Sequence, residues 1–261
     1  LYYSLEKIAA RWTDGLIIMN EEDYKSAQKL KLRKNNSIYK VNGVGIDLKR
    51  FIPQTVETKI KLREEYNYSL DSFILIYVAE LNYNKHQDFL IKPVSKAKRK
   101  IPNIKLLLVG NGNLENKYKK LVRSLGMENN VELLGQRKDI SNLLSISDLT
   151  VSTSRREGLP VNIMEAMATS LPLIVTDCRG NRDLVQNGVN GIVIKNDDVE
   201  ACAKAIEVLF NSKQLRHEFG VQSKAHIQNY SLEIVLGEMK EIYHENGVVR
   251  KHGEDTYEVS I

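Results

Sequence analysis

Cysteine is scarce in this chain of 261 residues: only Cys178 and Cys202 occur, in no Cys-x-x-Cys pair and beside no histidine cluster. That argues against a disulfide framework or a zinc site and suits the reduced thiols of a cytosolic protein. Long apolar runs are also missing. "FILIYVA" and "LLLVG" are strand-length, far below the roughly 20 residues a membrane-spanning helix needs. No Gly-Lys-Ser/Thr phosphate loop occurs, and Gly110-Asn111-Gly112 is no dinucleotide fingerprint, because Glu115 stands where the third glycine belongs. The five histidines (His86, His217, His226, His244, His252) lack ligand spacing, so no metal is expected. Lysines concentrate in "KSAQKLKLRKNN", "KPVSKAKRK" and "KYKKLVR", and the net charge is a modest +5. Such runs read first as solvated helix faces, with an anionic membrane surface or a phosphorylated substrate as the alternative. No aromatic-rich basic strand accompanies them, which argues against nucleic acid.

What is present is alternation. Short Ile/Leu/Val strands at 15–20, 37–41, 73–80, 104–110, 131–135, 149–154, 172–177 and 191–195 alternate with amphipathic helices. The helices fall near 21–33, 57–67, 86–100, 114–125, 139–146, 160–169, 182–187 and 198–210, with two more near 213–228 and 232–245. Near-continuous apolar strands between helices predict an α/β fold, a Rossmann-like doubly wound parallel sheet covered on both faces. Residues 41–54, with Gly43, Gly45 and Pro53, read as a linker, and 246–261 as a polar tail. The segment before the linker is too small for its own core. The chain also opens in a helix-then-strand pattern, so it is expected to continue something upstream. Leu16, Ile17, Ile18 and Met19 would then form an exposed apolar patch.

Ligands of open α/β sheets sit beyond the carboxyl ends of the strands. Glu80 and Lys85 follow one strand, Arg137 another, and "SRREGLP" a third. In "EGLPVNIMEAMA", Gly158 permits close backbone approach, and Pro160 is pre-set for the first helical position. The amides of Leu159, Val161 and Asn162 then leave a helix N-terminus, which suits a phosphate. Glu157 beside that anion site, and Glu165 on an otherwise apolar helix, call for hydroxyl-bearing groups on either side of the phosphate. A sugar nucleotide meets both demands.

This stretch resembles the Glu-x7-Glu signature of family 4 retaining glycosyltransferases of the GT-B fold. The resemblance continues through "VAELNYNKHQDFL", "LLLVGNGN", "VELLGQRKDISNLLSISDLTVSTSRREGLPVNIMEAMATSLPLIVTDCRGNRDLV" and "NGVNGIVI", covering roughly residues 36 to 245. It implies that 55–245 is the nucleotide-sugar donor-binding domain and 1–40 the end of the acceptor-binding domain. It further implies that Glu157 holds the donor sugar, Glu165 the ribose and Lys85 the diphosphate, while Arg137 flanks the base. One departure is that Ala79-Glu80 replaces the family's frequent Gly-Arg, whose arginine is a second diphosphate clamp. Glu80 would repel a diphosphate unless it turns to Arg155, Arg156 or Arg182.

The implied function is metal-independent, retaining transfer of a hexosyl or N-acetylhexosaminyl group from a UDP-sugar. The acceptor would be a glycan or lipid-linked, in cell-surface polysaccharide synthesis at the cytoplasmic face of the membrane. No Asp-x-Asp follows a strand, which argues against a manganese-dependent GT-A enzyme. The alternative is a non-catalytic nucleotide-sugar-binding module, and the isolated chain is expected to bind nucleotide without transferring sugar. An epimerase or oxidoreductase is disfavoured by the missing fingerprint. For single residues the alternatives are a capping carboxylate at Glu157, an arginine pair at Glu165 and a surface lysine at Lys85.

Overall fold

The computed structural model describes residues 2–34, 37–53, 55–247, 249–252 and 256–259. In chain order the elements are α1 (Tyr2–Ala9), β1 (Leu16–Ile18), α2 (Glu21–Ala27), β2 (Ile38–Lys40), α3 (Val56–Glu65) and β3 (Phe73–Val78). Then come α4 (Gln87–Ala97), β4 (Ile104–Val109), α5 (Glu115–Ser124), β5 (Val131–Gly135), α6 (Ile140–Ile146) and β6 (Leu149–Ser152). The rest are α7 (Val161–Ala168), β7 (Leu173–Thr176), α8 (Asn181–Leu184), β8 (Gly191–Ile194), α9 (Val199–Asn211), α10 (Lys213–His226), α11 (Leu232–Glu245), β9 (Val249–His252) and β10 (Thr256–Val259).

Contacts divide the chain into two compact units, residues 48–228 and residues 1–47 with 229–261. The larger unit is built on a six-stranded, all-parallel sheet in the order β5-β4-β3-β6-β7-β8. The expected doubly wound sheet is therefore present. Its strands are buried on both faces, as their apolar runs require: Ile74, Leu75 and Ile76 of β3 and Leu106, Leu107 and Leu108 of β4 are 0% exposed. Helix starts follow local chemistry. Thr55, Asp198 and Ser212 accept the amides of Thr58, Ala201 and Leu215 at 3.2, 2.9 and 3.1 Å, satisfying donors that the helix cannot. Chain order reverses between β3 and β6, which makes the carboxyl ends of these two strands the switch point of the sheet.

In the smaller unit β1 and β2 pair in parallel. Asn42 donates its amide to the Glu238 carboxylate of α11 at 3.2 Å, and Ile46 bridges Ser231. Helix α11, which the sequence reading puts with the donor domain, thus groups with residues 1–47. Leu16, Ile17 and Ile18 are half-buried and Met19 is exposed. Helix α2 stops at Ala27, short of the expected residue 33, because the amides of Lys29 and Leu30 turn back onto Ser26 and Ala27 in tight three-residue bonds. Residues 249–252 and 256–259 form an antiparallel pair in the segment read as a tail.

Candidate active site

The loops after β3 and β6 meet at this switch point, and main-chain acceptors stitch them together. Asn84 donates Nδ2 to Arg156 O at 2.9 Å, and the Arg155 amide donates to Asn84 O at 2.8 Å. The Thr153 hydroxyl donates to His86 O at 3.0 Å, and the Tyr77 hydroxyl to Lys85 O at 3.0 Å. Tyr77 is fully buried, and that burial outweighs the opposing hydrogen bonds of Ser154 and Ser152 and pushes its phenol above the ordinary range. It serves as a neutral strut under Lys85.

This stitching brings Lys85 Nζ to 2.6 Å from Glu157 Oε1. Only 9% of the Glu157 side chain and 22% of that of Lys85 are exposed, so the pair is a shielded charge-assisted bond. Sequence reading named both residues; their contact comes from strands that are neighbours only in the folded sheet.

Next to them, Gly158 faces open space, with nothing within 4 Å of where a Cβ would stand. Pro160 is the N-cap of α7, with φ −77° and ψ 113°, rather than its first helical residue. The carbonyl of Pro160 receives the amides of Ile163 and Met164, both at 3.2 Å. The amides of Val161 and Asn162 lie ahead of that ladder, and proline supplies no side-chain cap. The Asn162 Nδ2 is buried without a partner.

Glu165 lies one turn further along α7. Among the described residues its carboxylate has neither a hydrogen bond nor an ion pair. Burial raises its pKa to about 7, opposed only by the field of Arg50. The alternative of an arginine pair is therefore not what the helix holds. Arg50, in the segment read as a linker, is a neighbour that sequence reading missed.

Arg137 is not drawn into this group. It makes a two-pronged pair with Asp139, Nε–Oδ1 at 2.9 Å and Nη2–Oδ2 at 2.6 Å, and its guanidinium lies 5.9 Å from the Tyr66 ring centroid. Glu80 is exposed and accepts Asn82 Nδ2 at 2.9 Å instead of turning to an arginine. Arg155 goes to His86 and Asp197, and Arg182 to Asp177 at 2.6 Å. His86 is 5% exposed, in a left-handed conformation at φ 56°, and its pKa is lowered by burial and then by Arg155. The glycines of "GNGN" have a packing role: Cβ atoms on Gly110 and Gly112 would stand 2.2 Å from Ala79 O and Leu81 O. Among the described residues no three His, Cys, Asp or Glu side chains are grouped to hold a metal ion.

A parallel sheet of this order, with a charged cluster and an uncapped helix end at its switch point, defines a Rossmann-like domain. The profile of the glycosyl transferases group 1 family matches residues 58–226, and the chain belongs to that family. EpsD of Bacillus subtilis, which carries a provisional glycosyltransferase name, is 38% identical over 243 residues, 93% of this chain and 64% of its own length. The Escherichia coli UDP-Gal:alpha-D-GlcNAc-diphosphoundecaprenol alpha-1,3-galactosyltransferase is 30% identical over 218 residues, 82% of this chain and 56% of its own. Anabaena HepE, solved in complex with UDP, matches at a TM-score of 0.82 and 21% identity over 91% of this chain and 65% of that one. The last likeness speaks for the GT-B fold alone. This chain spans less than two-thirds of the length of each of these relatives.

Proposed function

We propose that residues 55–245 form the donor-binding part of a retaining glycosyltransferase. It would move a sugar from a UDP-sugar to a glycan or lipid-linked acceptor in polysaccharide synthesis at the cytoplasmic face of the membrane. Residues 1–40 would then be the end of an acceptor-binding domain. The observation that carries the reading is the Lys85–Glu157 pair at the open N-terminus of α7, with Glu165 one turn away and without a partner among the described residues. A half-buried, unpaired carboxylate is costly unless a ligand completes it.

In this reading the diphosphate takes Lys85 from Glu157 and also meets the amides of Val161 and Asn162. Released from the lysine, Glu157 accepts donor-sugar hydroxyls, and Glu165 accepts ribose hydroxyls. As the glycosidic bond breaks, charge grows on the departing diphosphate, where Lys85 and the helix end are already oriented. Cationic side chains and backbone dipoles supply that charge, so the reaction is proposed to need no metal ion and Glu157 to act by positioning. Arg137, tied to Asp139, would reach the base only by rearranging. Among the described residues no helix is long and apolar enough to cross a membrane, so membrane contact would be peripheral, through lysine-rich helix faces.

Titration calorimetry with UDP, in the presence and absence of EDTA, tests the site. Equal binding in both supports it, and binding only with added magnesium or manganese refutes the metal-free assignment. A second reading, a binding module without transferase activity, draws on Glu80, which puts a carboxylate where relatives of the resembled family often carry a cation. Sugar transfer by the full-length gene product would exclude it.

A further inference from the structure

The turn after β7 touches the Glu157 loop repeatedly, and the proposed chemistry uses none of these contacts. Gly180 sits at φ 76° and ψ −46°. A Cβ on it would stand 2.2 Å from Gly158 O and 2.8 Å from Gly158 C, backbone atoms that cannot swing aside. Arg179 donates Nε to Glu157 O at 3.0 Å. Asn181, 1% exposed, donates Nδ2 to Thr176 O at 2.8 Å, and the Thr176 hydroxyl donates to Ser154 O. Segment 154–158 therefore has two unlike faces. Gly158 looks into open space, and the opposite face of its peptide rests directly on Gly180.

This matters because the other hold on the Glu157 carboxylate is the Lys85 ammonium, a flexible group that must leave when a diphosphate arrives. Something that does not move must then fix the residue. We infer that Arg179 and Gly180 are positioning residues, a rigid backstop that sets where Glu157 stands once Lys85 has transferred to the donor. Gly180 acts by having no side chain: the Gly158 carbonyl, in the 158–159 peptide, occupies the volume a Cβ would fill. Arg179 acts by pinning the carbonyl of the preceding peptide, 157–158. The inference rests on the reading of Glu157 as the sugar-binding group.

A matched pair of glycines tests it. Gly188 shares φ 76° with Gly180, but a Cβ there meets nothing within 4 Å. Gly188→Ala thus imposes an unfavourable φ without the clash. Calorimetry on the full chain would compare UDP with the tightest binder among UDP-glucose, UDP-galactose, UDP-GlcNAc and UDP-GalNAc. Gly188→Ala should keep the wild-type ratio of the two affinities. Gly180→Ala should lose about tenfold in UDP-sugar affinity beyond any loss for UDP, since displacements of about 1 Å are costly in such sites. Arg179→Ala should shift the ratio in the same direction by a smaller factor. It needs no strained backbone, so it decides the matter if Gly180→Ala fails to fold. A Gly180→Ala ratio equal to that of Gly188→Ala overturns the inference, as does a wild-type ratio in Arg179→Ala when Gly180→Ala is unfolded. A wild type that binds UDP but gains nothing from any of the four sugars refutes instead the assignment of Glu157 to the sugar, and the backstop with it.

Discussion

At the amino end of the sheet, Asp148 receives Lys59 Nζ and Arg63 Nη2, each at 2.7 Å, and the Ile74 amide at 2.9 Å. Arg63, 4% exposed, spends its other donors on the carbonyls of Ile146, Leu70 and Ser72 at 2.8–3.0 Å. At the carboxyl end, among the described residues, Glu165 has no such partner and Glu157 has a single lysine. Both clusters are withdrawn from water, but only the first is complete. A closed network of this kind fixes α3 and α6 to the sheet and leaves nothing for a ligand. An open one costs the fold, which under the proposed function the bound donor would offset. The contrast also shows in titration. Burial opposes ionisation of Asp148, yet Lys59 and Arg63 outweigh it and hold the carboxyl below its ordinary range, whereas burial of Glu165 wins.

The comparison breaks first at Arg63. Arg63→Met should strand the Asp148 carboxylate and several carbonyls, costing about 3–5 kcal/mol in urea unfolding. A loss under about 1 kcal/mol would mean that the amino-end network is not holding the sheet. UDP affinity of the folded fraction should be unchanged.

Glu165→Gln should act in the opposite sense. Because the folded-state pKa is raised to about 7 from 4.5, the folded protein holds a proton that the unfolded chain releases between these values. Stability from this group therefore falls as pH rises from about 4.5 to 7. Removing the charge should recover about 2–3 kcal/mol at pH 8 and flatten that slope, while weakening UDP by about 1–3 kcal/mol. A steeper slope, or tighter UDP binding, would contradict the assignment. The sign reverses at Asp148, whose stabilisation is present above its ordinary pKa and lost as pH falls below it. Asp148→Asn should accordingly blunt acid unfolding, measured by circular dichroism, where Glu165→Gln does not.

Glu157→Ala should cut UDP-sugar affinity about tenfold or more while changing UDP by less than about threefold, for a lost charged hydrogen bond to the sugar alone. Equal losses for the two ligands would remove the division of labour between Glu157 and Glu165. The smallest effect is expected at Glu80, whose only side-chain bond among the described residues is to half-buried Asn82. Glu80→Arg should leave the thermal midpoint unchanged and tighten UDP severalfold by field alone. Unchanged or weaker binding would put Glu80 outside the diphosphate field.

The sequence alone determined the alternation of strands and helices, because period and apolar runs are local properties that burial on two faces imposes on each strand. It also singled out Glu157, Glu165 and Lys85, since a carboxylate on an apolar helix and a Gly-Leu-Pro turn are visible without coordinates. It could not join them. Lys85 and Glu157 are 72 residues apart and meet because strand order reverses between β3 and β6. Nothing in "KIKLREEY" separates Arg63 from Lys61, and nothing in "DLKRF" sends Arg50 toward Glu165. Both outcomes depend on which long side chain the packing of distant elements captures. Pro160 shows the same limit at shorter range, as a cap where its fixed φ alone suggested a first turn. Gly180 is the clearest case. Its missing Cβ matters only because the carbonyl of Gly158, 22 positions away, fills that space, and excluded volume between distant segments exists only once the chain is folded.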